Sequence, residues 1–189
     1  LEGSTLQAGR PGVKMDLGGI AKGYASDVAS ETLAQSGISS AVISLGGNVC
    51  VLGKNPDGSD WKVAITDPFD ASAYLGILSC HDTSVVTSGS YIRYFEQDGI
   101  SYHHILDPAT GYPAASGLVS VSIVCPSGLK ADGLSTALFI MGLEQGHAYW
   151  QKHSDEFDAI FVLQDGRVYI TSGLRDTFTS AYELEVLSP

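Results

Sequence analysis

The chain has 189 residues, 44% of them hydrophobic and 16% charged, and a formal net charge of −11. That length and composition fit one domain with a hydrophobic core, and the acidity argues against nucleic acid, whose phosphate backbone needs a basic stripe that no window here supplies. An anionic ligand would need a metal ion to neutralise it, because the ten Lys and Arg residues are spread over the whole chain.

After an extended lead-in over residues 9–15, Ile20, Tyr24 and Val28 recur every four residues, as do Ala21, Ala25, Ala29 and Leu33. This periodicity predicts a helix with that face buried, stopping at Ser36-Gly37. Residues 40–52 read as a β-run interrupted by Gly46-Gly47-Asn48, where paired glycines suggest a bulge or a close backbone approach. Residues 61–66 and 74–80 predict strands joined across Asp67-Pro68-Phe69-Asp70, and residues 84–87 a short β-branched strand. Residues 91–96 pair with 101–106 through Gln97-Asp98-Gly99, a hairpin that delivers His104. Residues 118–124 alternate as a strand, and Pro126-Ser127-Gly128 breaks the chain before a helix over 131–141. A further helix over 143–153 packs beside it, and residues 157–163 and 168–171 flank the hairpin signal Gln164-Asp165-Gly166-Arg167. Strands outnumber helices and do not alternate with them, so the fold class is α+β, a mixed, largely antiparallel sheet with helices packed on it.

Cys50, Cys80 and Cys125 are widely spaced, odd in number and set in apolar runs, the pattern of buried thiols rather than of a disulfide framework or zinc knuckle. His81, His147 and His153 have no companions at metal-ligand spacing and are expected to be structural or surface residues. No stretch approaches the roughly 18 apolar residues of a membrane span. Leu1-Glu2-Gly3-Ser4 looks like a cloning scar or fragment boundary, so N-terminal sequence is expected to be missing.

Three stretches carry chemistry. In Ala131-Asp132-Gly133-Leu134-Ser135-Thr136, a carboxylate and two hydroxyls at i, i+3 and i+4 would share a helix face, and magnesium favours such oxygens beside a phosphate. The competing account is a helix start with Asp132 as cap and Ser135 and Thr136 satisfying nearby backbone. In Asp16-Leu17-Gly18-Gly19-Ile20-Ala21-Lys22-Gly23, a glycine would let a main-chain carbonyl reach a metal, with Asp16 and Lys22 placed to hydrogen-bond a ligand from either side. A purely structural turn is the alternative there. His104, a few residues before Asp107-Pro108, is the side chain best suited to take a proton near neutral pH, although a lone strand histidine also suits a packing role. His103 should point to the opposite face.

Together with Val86-Thr87-Ser88-Gly89-Ser90-Tyr91 and His104-Ile105-Leu106-Asp107-Pro108-Ala109-Thr110-Gly111, these stretches resemble the ApbE-like FAD:protein FMN transferases in content and order, from about Val13 to Gly142. The resemblance implies a T-fold-like domain over residues 1–189, lacking the N-terminal region that members carry ahead of the Asp-Leu-Gly-Gly stretch. It further implies magnesium-dependent transfer of FMN from FAD to a Thr or Ser hydroxyl of a target flavoprotein, with release of AMP. Asp132 and Thr136 would ligate the metal by side chain and Gly19 by its carbonyl, with Ser135 where some relatives carry another acid. Asp16 and Lys22 would contact FAD, Leu106 would lie near the flavin by its backbone, and His104 would be the base. An FAD pyrophosphatase giving FMN and AMP, and a non-catalytic flavin-binding domain, are the competing functions on this scaffold. Relatives act at the bacterial cell envelope, so a periplasmic or membrane-tethered lipoprotein parent is the corresponding expectation.

Overall fold

Period-two alternation of apolar residues organises the chain in layers. The structure, a computed structural model, describes residues 5, 7, 9–97 and 100–189, the side chains of residues 100 and 101 excepted. The expected boundary segment Leu1-Glu2-Gly3-Ser4 and the Asp98-Gly99 tip of the expected hairpin lie outside the described residues. In chain order the elements are α1 (Ala21–Gln35), β1 (Ala41–Leu45), β2 (Asn48–Leu52), β3 (Trp61–Thr66), β4 (Tyr74–Cys80), β5 (Thr83–Gly89), β6 (Tyr94–Gln97) and β7 (Ile100–His103). There follow β8 (Leu118–Cys125), α2 (Gly128–Gln151), β9 (Asp158–Leu163), β10 (Val168–Thr171), a 3-10 turn over Ser172–Leu174, β11 (Phe178–Ser180) and β12 (Leu184–Leu187).

The main sheet runs β1-β2-β5-β8-β9-β10-β12, a second sheet runs β11-β4-β3, and β6 with β7 forms a separate two-stranded ribbon. Within the main sheet the pairs are antiparallel except β10 with β12, which are parallel. This is the mixed, largely antiparallel α+β architecture expected from the sequence. One face of the main sheet packs Val86, Ile123 and Phe161 against Leu138, Phe139 and Trp150 of α2. The other packs Val85, Ile160 and Val162 against Val63, Leu75, Leu78 and Phe178 of the second sheet. Val85 and Val86 enter opposite cores, as do Ile160 and Phe161, because successive strand side chains point to opposite faces. Burial on both faces explains why β9 reads as a continuous apolar run after Asp158.

Four sequence expectations are corrected. The face of α1 carrying Ile20, Tyr24 and Val28 is exposed, while Gly23 and Ser26 are the buried residues of that helix. The reason is proximity: a Cβ at Gly23 would stand 2.1 Å from the carbonyl oxygen of Gly128, so α1 meets α2 on its smallest residues and the larger apolar ones face outward. Gly46-Gly47 is no bulge; it is the turn of the β1–β2 hairpin, with φ of 55° and 95°, a conformation that favours glycine. The two helices expected over 131–141 and 143–153 form one run, broken at Gly142, where φ 78° and ψ 177° leave helical geometry. Finally, β11 and β12, which the sequence did not suggest, close the second sheet and the far edge of the main sheet.

The expected stop of α1 does form. Gly37 takes φ 82°, its N–H donates to Ala34 and that of Ile38 to Leu33, so the last carbonyls are satisfied. The three cysteines are free and buried, and burial pushes the Cys80 thiol up to about 11. His81, His147 and His153 bind Asp60, the Ser188 carbonyl and Glu156, respectively. No helix among the described residues is long and apolar enough to cross a membrane.

Candidate active site

A cavity of about 770 Å³ opens where the turn before α1, the β1–β2 turn, β3, β5, the end of β7 and α2 converge. That size suits a cofactor-sized ligand. Asp16, Gly19, Lys22, His104, Leu106, Asp132 and Thr136 all line it, so segments more than a hundred positions apart meet in one place. Ser135 does not.

Asp132 lies in the first turns of α2, 5% exposed, and its Oδ2 accepts the Gly23 N–H at 2.9 Å. Among the described hydrogen bonds its Oδ1 has no partner. The N-terminus of α2 is held by Asp27 of α1, whose carboxylate accepts from Gly128 N at 2.6 Å, Leu129 N at 3.0 Å and Ser127 Oγ at 3.1 Å. A carboxylate there also matches the positive end of the helix dipole. Thr136, one turn beyond Asp132, shares its face as i and i+4 require. Ser135 departs from the expected ligand set: it is fully buried, its hydroxyl donates to the Asp132 carbonyl at 2.9 Å, and its Oγ lies 2.8 Å from that of Ser88. The i+3 position lies on the other side of Asp132 from i+4, here turned into the sheet, and back-bonding to the preceding turn absorbs the hydroxyl.

Before α1, Asp16 Oδ1 accepts the Gly18 N–H at 2.6 Å, closing a turn, and Leu17 O accepts from Ile20 N and Ala21 N to start the helix. One Asp16 oxygen is therefore committed to shaping Gly18-Gly19. Lys22 reaches across to the β1–β2 turn, Nζ to Gly46 O at 3.4 Å. Leu106, half exposed, is held by a bridge to Pro113.

His104 follows β7, donates its main-chain N–H to Arg93 O at 3.1 Å, and has Nδ1 3.3 Å from the same carbonyl. A carbonyl only accepts, so this bond requires the proton on Nδ1 and leaves Nε2 with its lone pair. His103 turns the other way, its ring edge-on to Phe139 at 5.6 Å, and burial holds its pKa below the ordinary histidine value.

Ser88, Tyr91 and Arg93 also line the cavity, although sequence reasoning gave them no role. The stretch from Val86 to Tyr91 was the signal for Ser88 and Tyr91, and Arg93 lies just beyond it. Tyr91 folds back over Gly89, where a Cβ would stand 2.4 Å from the ring, and burial together with the Asp67 charge raises the Tyr91 phenol pKa. It is thus a neutral hydrogen-bond donor near pH 7.

The donors suit a hard divalent cation: one free oxygen of a nearly buried carboxylate, a threonine hydroxyl and a main-chain turn. No group of three or more His, Cys, Asp or Glu that could hold a metal occurs among the described residues, so this is not a zinc-type cage. A magnesium ion held by few protein ligands would take its remaining oxygens from phosphate and water.

Comparison with known proteins places this layered α+β fold in a family. The model of the ApbE family matches residues 2–161, and the chain belongs to that family. The FAD:protein FMN transferase of Klebsiella pneumoniae (strain 342) is 43% identical over 171 residues, covering 90% of this chain and 52% of that protein. The crystal structure of the ApbE protein from Thermotoga maritima superposes with TM-score 0.81 at 36% identity, over 88% of this chain and 54% of that one. The flavin transferase ApbE from Vibrio cholerae gives TM-score 0.81 at 35% identity, over 94% and 57%. The chain thus spans about half the length of the relatives it matches.

Proposed function

We propose that this chain carries the catalytic half of an FAD:protein FMN transferase, moving FMN from FAD to a Thr or Ser hydroxyl of a target flavoprotein and releasing AMP, with magnesium at the pyrophosphate. The observation that carries this reading is the convergence of His104, Asp132 and Thr136 on one cavity from separate segments of the chain. The relatives' names support the same activity. Bound at Asp132 and Thr136, with the Gly19 carbonyl in reach of the same cavity, magnesium would supply charge neutralisation at the pyrophosphate, which a chain of net charge −11 needs.

The chain's own residues do the rest. His104 Nε2 takes the proton of the acceptor hydroxyl as its oxygen bonds to the FMN phosphorus; the phosphorus–oxygen bond to adenylate breaks, and AMP leaves with the bridging oxygen. The Nδ1 contact to Arg93 O orients the ring and stabilises the imidazolium that forms. Lys22 offers a cation and Tyr91 a neutral donor to the same cavity. A cell-envelope location belongs to the same proposal, and fractionation of the host cell would test it.

The test is incubation with FAD, magnesium and a threonine-bearing target flavoprotein, followed by mass spectrometry. The acceptor should gain FMN. His104→Ala should slow transfer by about 10²-fold or more with FAD binding nearly unchanged, and His103→Ala should do far less. Asp132→Ala should abolish magnesium-dependent turnover, because it removes the one charged ligand in the set. Free FMN and AMP in place of labelled acceptor would make the chain a pyrophosphatase, unchanged FAD would make it a binder, and a crippling His103→Ala beside an active His104→Ala would overturn the base assignment.

A further inference from the structure

Four oxygens at the cavity wall and behind it form a chain whose proton directions follow from counting. The Ser135 hydroxyl is 2.9 Å from the Asp132 carbonyl, Ser88 Oγ is 2.8 Å from Ser135 Oγ, and Thr136 Oγ1 is 3.2 Å from Ser88 Oγ. A carbonyl cannot donate, so Ser135 spends its only proton on Asp132. The Ser135–Ser88 contact therefore has Ser88 as donor. With that proton used, Ser88 can only accept from Thr136. The Thr136 proton is thereby drawn toward β5, and its lone pairs are left for the cavity that Thr136 lines.

We infer that Ser88 is a positioning residue that, through this relay anchored on the Asp132 carbonyl, fixes the Thr136 hydroxyl as an acceptor and so makes it a ligand for a divalent cation. The inference rests on the proposed function, which places magnesium at Asp132 and Thr136. It also gives Ser135 a purpose that its burial denies it as a direct ligand. A hydroxyl free to rotate would turn its proton to the cavity for part of the time, and a cation repels that proton. The two serines remove this freedom before the ion arrives, which is preorganisation of an oxygen donor. Asp132 contributes twice, its carboxylate facing the cavity and its carbonyl setting the polarity of the chain of hydroxyls.

The experiment measures Mn²⁺ affinity as a magnesium probe, from the electron paramagnetic resonance of free Mn²⁺, with and without FAD, and melting of each variant in chelator. Ser88→Ala should weaken Mn²⁺ about 3- to 10-fold, the equivalent of one lost hydrogen bond, and Ser88→Thr should restore the affinity. Ser135→Ala should weaken it too, although that residue does not touch the cavity, because Ser88 is then free to donate to Thr136; this variant carries the test if Ser88→Ala does not fold. In a Thr136→Val background neither serine substitution should matter further, a coupling that a merely structural serine would not show. Unchanged affinity in both serine variants, or equal losses with and without the Thr136 hydroxyl, would overturn the relay alone. Failure of the wild-type chain to take up Mn²⁺, with or without FAD, would overturn the metal reading and the relay together.

Discussion

Gly23→Ala tests the contact on which the site is built. The new Cβ would stand 2.1 Å from Gly128 O, 2.5 Å from Gly128 C and 2.8 Å from Asp132 Cβ. None of these atoms is the far end of a flexible side chain, so α1 must withdraw from α2 by on the order of 1 Å to restore ordinary contact distances. Overpacking of this kind costs about 1–3 kcal/mol, and losing the Gly23 N–H bond to the Asp132 carboxylate, 2.9 Å in the wild type, adds about 1.5–3 kcal/mol. A total of about 2.5–6 kcal/mol corresponds to a melting temperature lower by roughly 5–24 °C for a chain of this size. Gly133→Ala is the matched control. Its Cβ would lie 3.6 Å from Ile20 Cγ2, an ordinary contact, and alanine gains about 0.5–1 kcal/mol over glycine in a helix. Urea denaturation and thermal melting should therefore separate two glycine-to-alanine changes in one interface, one strongly destabilising and one neutral or stabilising. A Gly23→Ala protein melting within about 2 °C of wild type would refute the close-approach argument.

Asp27→Ala removes the carboxylate that accepts from two N–H groups at the start of α2 and from the Ser127 hydroxyl, and should cost about 2–3 kcal/mol in urea denaturation. A loss below about 0.5 kcal/mol would contradict that capping role. His103 should make stability depend on pH. Its folded pKa lies below the ordinary 6.5, so as pH falls the unfolded chain takes up the proton first; stability declines through 6.5 and levels off only below the folded pKa. Melting profiles of wild type and His103→Phe should diverge on acidification from about pH 7.5 to 5, and parallel profiles would show that His103 is not buried as described.

The sequence was most legible where one element settles its own structure. The β3 and β4 strands fall on the residues whose alternation announces them, and Gly37 ends α1 because the left-handed residue there satisfies local carbonyls. It was least legible where the decisive contact is remote. The four-residue repeat of Ile20, Tyr24 and Val28 is a sound sign of a helix, but which side is buried depends on Gly128, more than a hundred residues away. The short β11 carries no pattern of its own and is a strand because β4 offers it an edge. In the cavity, residue type singled out Asp132, Thr136 and His104 as candidates, since few side chains bind a hard cation or move a proton near neutrality, and all three line it. Spacing alone could not tell Thr136 from Ser135: both stand on the same turn, and only the packing of α2 on β5 decides which hydroxyl meets the cavity and which is fully buried.

The bond between Gly23 and Asp132 spans 109 residues of sequence and joins backbone to carboxylate at the narrowest point between two helices. Neither partner can drift alone. A side chain at 23 would collide with the Gly128 backbone and with Asp132 Cβ. Tolerance to substitution here belongs to the pair, and a graft of this site onto another scaffold must carry both helices at this separation. Homologous sequences that alter one position without the other would be expected to have abandoned the cavity's chemistry while keeping the sheet beneath it.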